Sequence, residues 1–238
     1  WRLEIPAAPT REWSDWRIGI LFDDEAAPVD HEVQATLHTL ADFLATKGTK
    51  VTEGVRPIRD THAAFSLYVQ LLRSATTAHL TDDDVAKSLD ELKLLPPDAT
   101  GYIADTALGR TLSHRSWLRI NEARHRLKLE WQAYFEGYDL LLCPASCQAA
   151  LPHDQERPRH ERTSDISGQM RPATNDLFWA GVTCMAFLPS TVAPAGATRN
   201  GLPIGVQIVG KWYDDRSTIA FAQILERDFR AFVPPPGY

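Results

Sequence analysis

Apolar residues fall into short unbroken runs separated by longer stretches at helical spacing. Residues 17–22 are one such run, Arg-Ile-Gly-Ile-Leu-Phe, closed by Asp23 and Asp24, which fits a buried strand. Pro28 stands where a helix can begin, and Val33, Leu37, Leu40 and Leu44 follow at helical spacing. Gly48 is placed to end that helix in a left-handed cap. Residues 50–55 then resume as a strand. Strand, helix and strand in this order predict a βαβ unit, with a parallel pair and a right-handed crossover.

The middle of the chain reads as helical. Asp60 can cap a helix running to about His79, and Thr81 with Asp84 three residues on resembles a capping box. Residues 96–110 hold two prolines and two glycines and read as a connection. Residues 111–136 carry Trp117, Ile120, Leu127, Trp131 and Tyr134 on one stripe, with Gly137 after them. Residues 139–143 form a further buried strand, stopped by Pro144. The polar stretch 145–172 reads as a long loop, a kind that is usually functional or mobile.

A helix is expected over residues 175–185, followed by apolar runs at 188–193 and 202–209. Asn200-Gly201 between them is a hairpin signal, and Pro194 and Pro203 push the strands toward an edge or their ends. Leu202, Ile204, Val206 and Ile208 alternate as one buried face, with Gln207 on the other. A last helix covers about 216–230, capped by Asp215, and the prolines of 234–236 stop further structure. Residues 1–15, rich in Pro, Arg and Trp without periodicity, read as a connecting strap, and residues 16–238 as the C-terminal portion of a single domain.

Composition narrows the class without naming it. Hydrophobic residues are 44% and charged residues 24% of the chain, an ordinary soluble globular composition. The net charge of −6 argues against general nucleic-acid binding, which favours a basic face. No apolar run reaches the length of a membrane span. Cys143, Cys147 and Cys184 are an odd number of cysteines, read as reduced thiols of a cytoplasmic protein. Residue 1 is Trp rather than Met, so the first residue is expected to mark a cut or a processing point.

The common catalytic signatures are absent. The chain has no Gly-x-Ser-x-Gly elbow, no Ser-x-x-Lys pair, no Walker loop and no His-Glu-x-x-His. Phe22-Asp23-Asp24-Glu25 after the first strand offers no glycine to a pyrophosphate. His153, Asp154, His160 and Glu161 match no dedicated zinc spacing and read as solvated loop charges. Cys143 and Cys147 have no nearby base in the sequence and read as buried or pocket-wall thiols rather than nucleophiles.

The most specific stretch is residues 188–196, Leu-Pro-Ser-Thr-Val-Ala-Pro-Ala-Gly, followed by 201–210, Gly-Leu-Pro-Ile-Gly-Val-Gln-Ile-Val-Gly. It closely resembles the closing motif of the amidase-signature family, in which a GLPxGxQ strand follows an LPxxxxPxG strand. The likeness continues through Trp212 to Phe221 and into the terminal Pro-Pro-Pro-Gly-Tyr. Upstream, Tyr138 to Pro144 is similar to the family's DVLL(C/T)P strand, and Pro152-His153-Asp154 matches one bacterial branch. The chain departs from the family at Phe187, where glycine is usual, at Ala173, where tyrosine is common, and at Asn175-Asp176, which reverses a frequent Asp-Asn.

The resemblance covers nearly the whole chain and implies a partial three-layer α/β/α sandwich, with a mixed, mainly parallel sheet and a C-terminal β-hairpin. It implies amide hydrolysis through an acyl-enzyme, by a Ser–cis-Ser–Lys triad with oxyanion-hole amides, and no metal or organic cofactor. The family carries those groups in an N-terminal half with a glycine- and serine-rich loop. Ser167-Gly168 is the nearest approach here and stands in the wrong context, so no catalytic residue is assigned and this chain alone is expected to be inactive. The same resemblance makes Cys143, Pro144, Asn175, Asp176 and Trp179 candidate contacts for a small amide substrate. For Trp179 the competing role is core packing, and for Asp176 a helix-start cap. The partner expected is a homodimer mate or a missing N-terminal part; the alternative to an amidase is a degenerate or split-subunit fragment that acts by interaction.

Overall fold

Residues 17–53 form the expected βαβ unit in the computed structural model, which describes residues 1–235 and 237. β1 (Arg17–Ile20) and β2 (Lys50–Glu53) pair in parallel, with α1 (His31–Thr46) crossing between them. The helix starts at His31 rather than near Pro28, because Asp30 supplies the cap: its carboxylate accepts from the Glu32 N–H at 2.9 Å. Val33, Leu37, Leu40 and Leu44 are all buried.

Four helices follow: α2 (Thr61–Thr76), α3 (Asp82–Leu94), α4 (Tyr102–Arg110) and α5 (His114–Gly137). Asp60 caps α2 by accepting from the Ala63 N–H at 2.8 Å, and the box between Thr81 and Asp84 closes with both arms at α3. Helix α4 overturns the reading of 96–110 as a plain connection. Its glycines serve other ends: Gly101, at φ 98, precedes the first turn, and Gly109 faces α2. A Cβ at Gly109 would lie 2.6 Å from the Gln70 carbonyl oxygen. In one dimension, glycines needed for a cap and a helix crossing look like loop glycines.

The chain returns to the sheet in β3 (Leu140–Pro144), then continues through α6 (Leu177–Met185), β6 (Ser190–Ala197), β7 (Pro203–Gly210) and α7 (Asp215–Asp228). Strand order is β2-β1-β3-β7-β6. β1 pairs in parallel with β2 and β3, while β7 runs antiparallel to β3 and β6. Helices α1 and α7 pack on one face. On the other, the Tyr134 hydroxyl of α5 donates to the Leu140 carbonyl at 3.1 Å, and α6 lies beside it. The mixed three-layer sandwich expected from the resemblance is present. Asp214, not Asp215, precedes α7, and the Ser217 hydroxyl donates to its carboxylate at 2.6 Å.

The closing hairpin turns at Arg199-Asn200-Gly201. Gly201 sits at φ 81 and donates to the Thr198 carbonyl at 2.9 Å, while Thr198 donates to Leu202 at 2.8 Å. A left-handed glycine after a tight turn is a common hairpin closure. Pro194 lies in the edge strand β6 and Pro203 opens β7, where a missing N–H disrupts little. β7 is covered on both faces, so Gln207 is as buried as its neighbours; Leu202, expected in the buried set, is 40% exposed.

Residues 145–172 are not one loop. β4 (Thr163–Ile166) and β5 (Gln169–Pro172) form a small hairpin turning through Ser167 and Gly168, both at positive φ. The strap is anchored at its end: Trp13 Nε1 donates to Asp228 at 3.0 Å, and its ring meets Phe43 and Phe221 edge-on. Phe187, where the resembled motif has glycine, takes φ 59 just past α6, the left-handed position that usually ends a helix on glycine. Of the terminal Pro-Pro-Pro-Gly-Tyr, Pro236 and Tyr238 lie outside the described residues. No described helix is long and apolar enough to cross a membrane.

Candidate functional site

Strand β3 delivers Cys143 and Pro144 to the end of the sheet opposite Gln207 and Val206 of β7. Both residues are buried. Gln207 is 4% exposed and ties three elements together. Its Nε2 donates to the Trp179 carbonyl at 2.9 Å and to Cys143 Sγ at 3.2 Å. Its Oε1 accepts from Ser190 at 2.7 Å and from Thr183 at 3.5 Å. Trp179, on α6, is 1% exposed and donates from Nε1 to the Ala27 carbonyl at 3.2 Å. Cys143 and Trp179 both line a small apolar space of about 20 Å³, together with Trp131 and Phe178. It is about the size of one water.

The loop after β3 is held by Asp176. Its Oδ1 accepts from the Ser146 hydroxyl at 3.1 Å and the Cys147 N–H at 3.3 Å. It makes no side-chain cap on α6, so the carboxylate is spent across the fold rather than along its own helix. Asp176 also lines a cleft of about 1090 Å³, walled by His153, Arg157, Arg159 and Arg162 of the polar stretch. Its neighbour Asn175 lines a different cleft, of about 690 Å³, with His62, Ser66, Tyr102 and Asp105. The structure thus brings Asn175 and Asp176 to open space and sets Cys143, Pro144 and Trp179 behind them.

Asp105 carries no signal in the sequence, because it falls in a stretch that reads as a connection. It is 5% exposed, and its Oδ1 accepts from Ser66 at 2.5 Å and Gln70 at 2.8 Å. A buried carboxyl group fixed by two neutral donors at a cleft wall can orient a polar ligand group.

Neither buried cysteine is activated. Burial pushes the Cys143 thiol up to about 12, against a hydrogen bond from Gln207 that favours the thiolate. Burial also raises Cys147, and the nearby Asp176 carboxylate raises it further. Both are protonated near neutral pH and poor nucleophiles. The Ser167 hydroxyl donates to Asp30 Oδ2 at 3.1 Å and accepts from the His31 N–H at 2.8 Å, so it pins the small hairpin to α1. None of the lysines is buried; Lys128, the most covered, lies over the Trp212 ring at 3.8 Å. Among the described residues, no serine hydroxyl is hydrogen-bonded to a lysine or histidine side chain, and no three His, Cys, Asp or Glu side chains group as metal ligands.

A family model described as Amidase matches residues 6–219. The chain is 25% identical to an indoleacetamide hydrolase of Bradyrhizobium japonicum over 232 residues, 95% of this chain and 46% of that protein. It is 32% identical to a glutamyl-tRNA(Gln) amidotransferase subunit of Methylocella silvestris over 123 residues, 51% of this chain and 23% of that one. Among solved structures, a bacterial aryl acylamidase of the amidase signature enzymes superimposes with a TM-score of 0.66 at 20% identity, covering 92% of this chain and 46% of that one. The corresponding amidotransferase subunit of Thermotoga maritima gives 0.64 at 17%, covering 94% and 46%. The chain therefore spans about half the length, or less, of the proteins it matches.

Proposed function

This chain belongs to the amidase family, and from that premise we propose that it is part of an enzyme hydrolysing carboxylic amides to an acid and an amine. The family match across residues 6–219 carries the reading. Amide hydrolysis needs a nucleophile, an oriented base and donors placed for the developing oxyanion. The described residues offer no paired serine and base. The proposal is therefore that a Ser–cis-Ser–Lys triad comes from a preceding segment or another chain, which completes a single domain with residues 16–238. The three free thiols support a cytoplasmic location; fractionation that finds the protein outside it would count against this.

In the assembled site, Asn175 and Asp176 are proposed to contact the amide substrate, with Cys143, Pro144 and Trp179 as the wall behind them. Asp176→Asn keeps the Oδ1 acceptor that holds Ser146 and Cys147 and removes only the charge. It is expected to raise KM in the completed enzyme with folding unchanged; an unaltered KM would remove Asp176 from the site.

These residues alone are expected to give no acyl burst with an activated ester and no stoichiometric labelling by a fluorophosphonate. Labelling of one serine, above all Ser167, would overturn the missing triad. Association is expected as well, as a homodimer or with the missing part. β6 is an edge strand whose Val192 is largely exposed, and Phe187, Trp212 and Tyr213 are exposed near Lys128. Open edges and apolar patches favour pairing. Light scattering at roughly 100 μM, a concentration that reveals micromolar association, checks it. A monodisperse monomer would sink this part.

A further inference from the structure

The cleft between α2, α4 and the 3-10 turn Arg159–Glu161 has a volume of about 330 Å³ and an excess of positive charge. Tyr102, Thr106 and Arg110 lie at four-residue intervals on one stripe of α4 and line it together. Arg73 reaches in from α2, its guanidinium 5.3 Å over the Tyr102 ring and in contact with the Tyr102 hydroxyl. Arg159 closes the third side. Glu91 is the one carboxylate among the lining residues. Among the described residues, none of Arg73, Arg110 and Arg159 forms an ion pair.

Two polar atoms here are buried without a protein partner: Arg73 Nε and Thr106 Oγ1. Buried donors in folded proteins are nearly always satisfied, and guanidiniums gathered around one cleft repel unless an anion sits between them. Both orphans can donate, and planar guanidinium forks match carboxylate and phosphate oxygens. A cation would meet like charge, and an apolar group would leave the donors unpaired.

We propose that this cleft binds an oxyanion, a carboxylate or phosphate group held by Arg73, Arg110 and Arg159 with the Thr106 hydroxyl. Binding there requires no catalytic residue, so it stands or falls apart from the amide chemistry. The cleft adjoins the one that carries Asn175 and shares Tyr102, Ile103 and His160 with it.

Calorimetric titration with inorganic phosphate and, separately, acetate, at constant ionic strength in chloride, tests the site. Saturation by at least one anion below about 10 mM is expected. The anion that saturates first identifies a phosphoryl or a carboxylate preference. Arg110→Gln and Arg159→Gln stand on separate elements, so failure of one to fold leaves the other. Each is expected to weaken binding about ten- to hundred-fold, the effect of losing a charged hydrogen bond. No saturation by either anion, or folded variants that bind like the parent, would overturn the site.

Discussion

Gln207→Glu is expected to lose stability steadily as the pH rises above about 4.3, the ordinary value of a glutamate, and to approach the parent below it. The amide nitrogen of Gln207 faces the Trp179 carbonyl at 2.9 Å, the Pro144 carbonyl at 3.5 Å and Cys143 Sγ at 3.2 Å. A carboxylate in its place would set negative charge against acceptors in a site almost without solvent. Unfolded, the same carboxyl ionises in water, so the folded pKa is raised. The penalty is then absent below the unfolded pKa, grows by about 1.4 kcal/mol per pH unit between the two values, and levels off above the folded one. Fully buried carboxyls shift by about 3–5 units, which puts the plateau at roughly 4–7 kcal/mol. That is comparable to the total of about 5–15 kcal/mol available to a domain. Gln207→Leu separates charge from lost hydrogen bonds: it should cost about 1–3 kcal/mol at every pH. Urea midpoints from pH 4.5 to 8 decide it. A difference between Gln207→Glu and the parent that stays flat with pH would mean the side chain is not enclosed as described.

Gly109→Leu is the second large effect, expected to destabilise by about 2 kcal/mol or more although leucine is the better helix former by roughly 0.8 kcal/mol. A Cβ at this position would lie 2.6 Å from the Gln70 carbonyl oxygen, 2.8 Å from Arg73 Cβ and 3.0 Å from Gln70 Cα. None of these atoms can rotate aside, so α2 and α4 must separate. Separation would also draw Arg73 away from Tyr102 and Thr106 and weaken the anion cleft. Gly137→Leu is the control: it ends α5 with nothing within 4 Å of its Cβ position, so it should be neutral or slightly stabilising. Thermal melts of the two variants are the measurement. Equal midpoints would show that α2 and α4 do not cross at Gly109.

Much of the sheet is legible in the sequence because its strands are short apolar runs between strong punctuation. The βαβ unit, β3 and the closing hairpin follow from local pattern, and the Asp60 cap of α2 and the Thr81–Asp84 box of α3 are read from side chains within one turn. The misses share a cause. Residues 96–110 read as a connection when Gly101 and Gly109 are given their most frequent use. Residues 145–172 read as one loop because β4 and β5 are short and polar, and what holds them includes Ser167 against Asp30, far away in sequence. Of the five candidate residues chosen by resemblance, Cys143 and Pro144 end β3, Asp176 holds the loop after it, and Asn175 lines a separate cleft. Their division into accessible Asn175 and Asp176 and enclosed Cys143, Pro144 and Trp179 cannot be read from a string.

By itself the sequence determined most of the segments that become strands and helices, where most of those stop, and which family the closing strands resemble, because these depend on spacing, turn chemistry and a specific motif. Only the tertiary structure decided what the buried polar groups do. Gln207 is a hub because β3, β6, β7 and α6 meet at it. Asp176 braces the loop after β3 instead of capping its own helix. Arg73, Thr106, Arg110 and Arg159, scattered over three elements, share one cleft. Such groups are defined by partners distant in the chain, and a buried polar atom takes its meaning from what lies within hydrogen-bond distance, which local sequence does not encode.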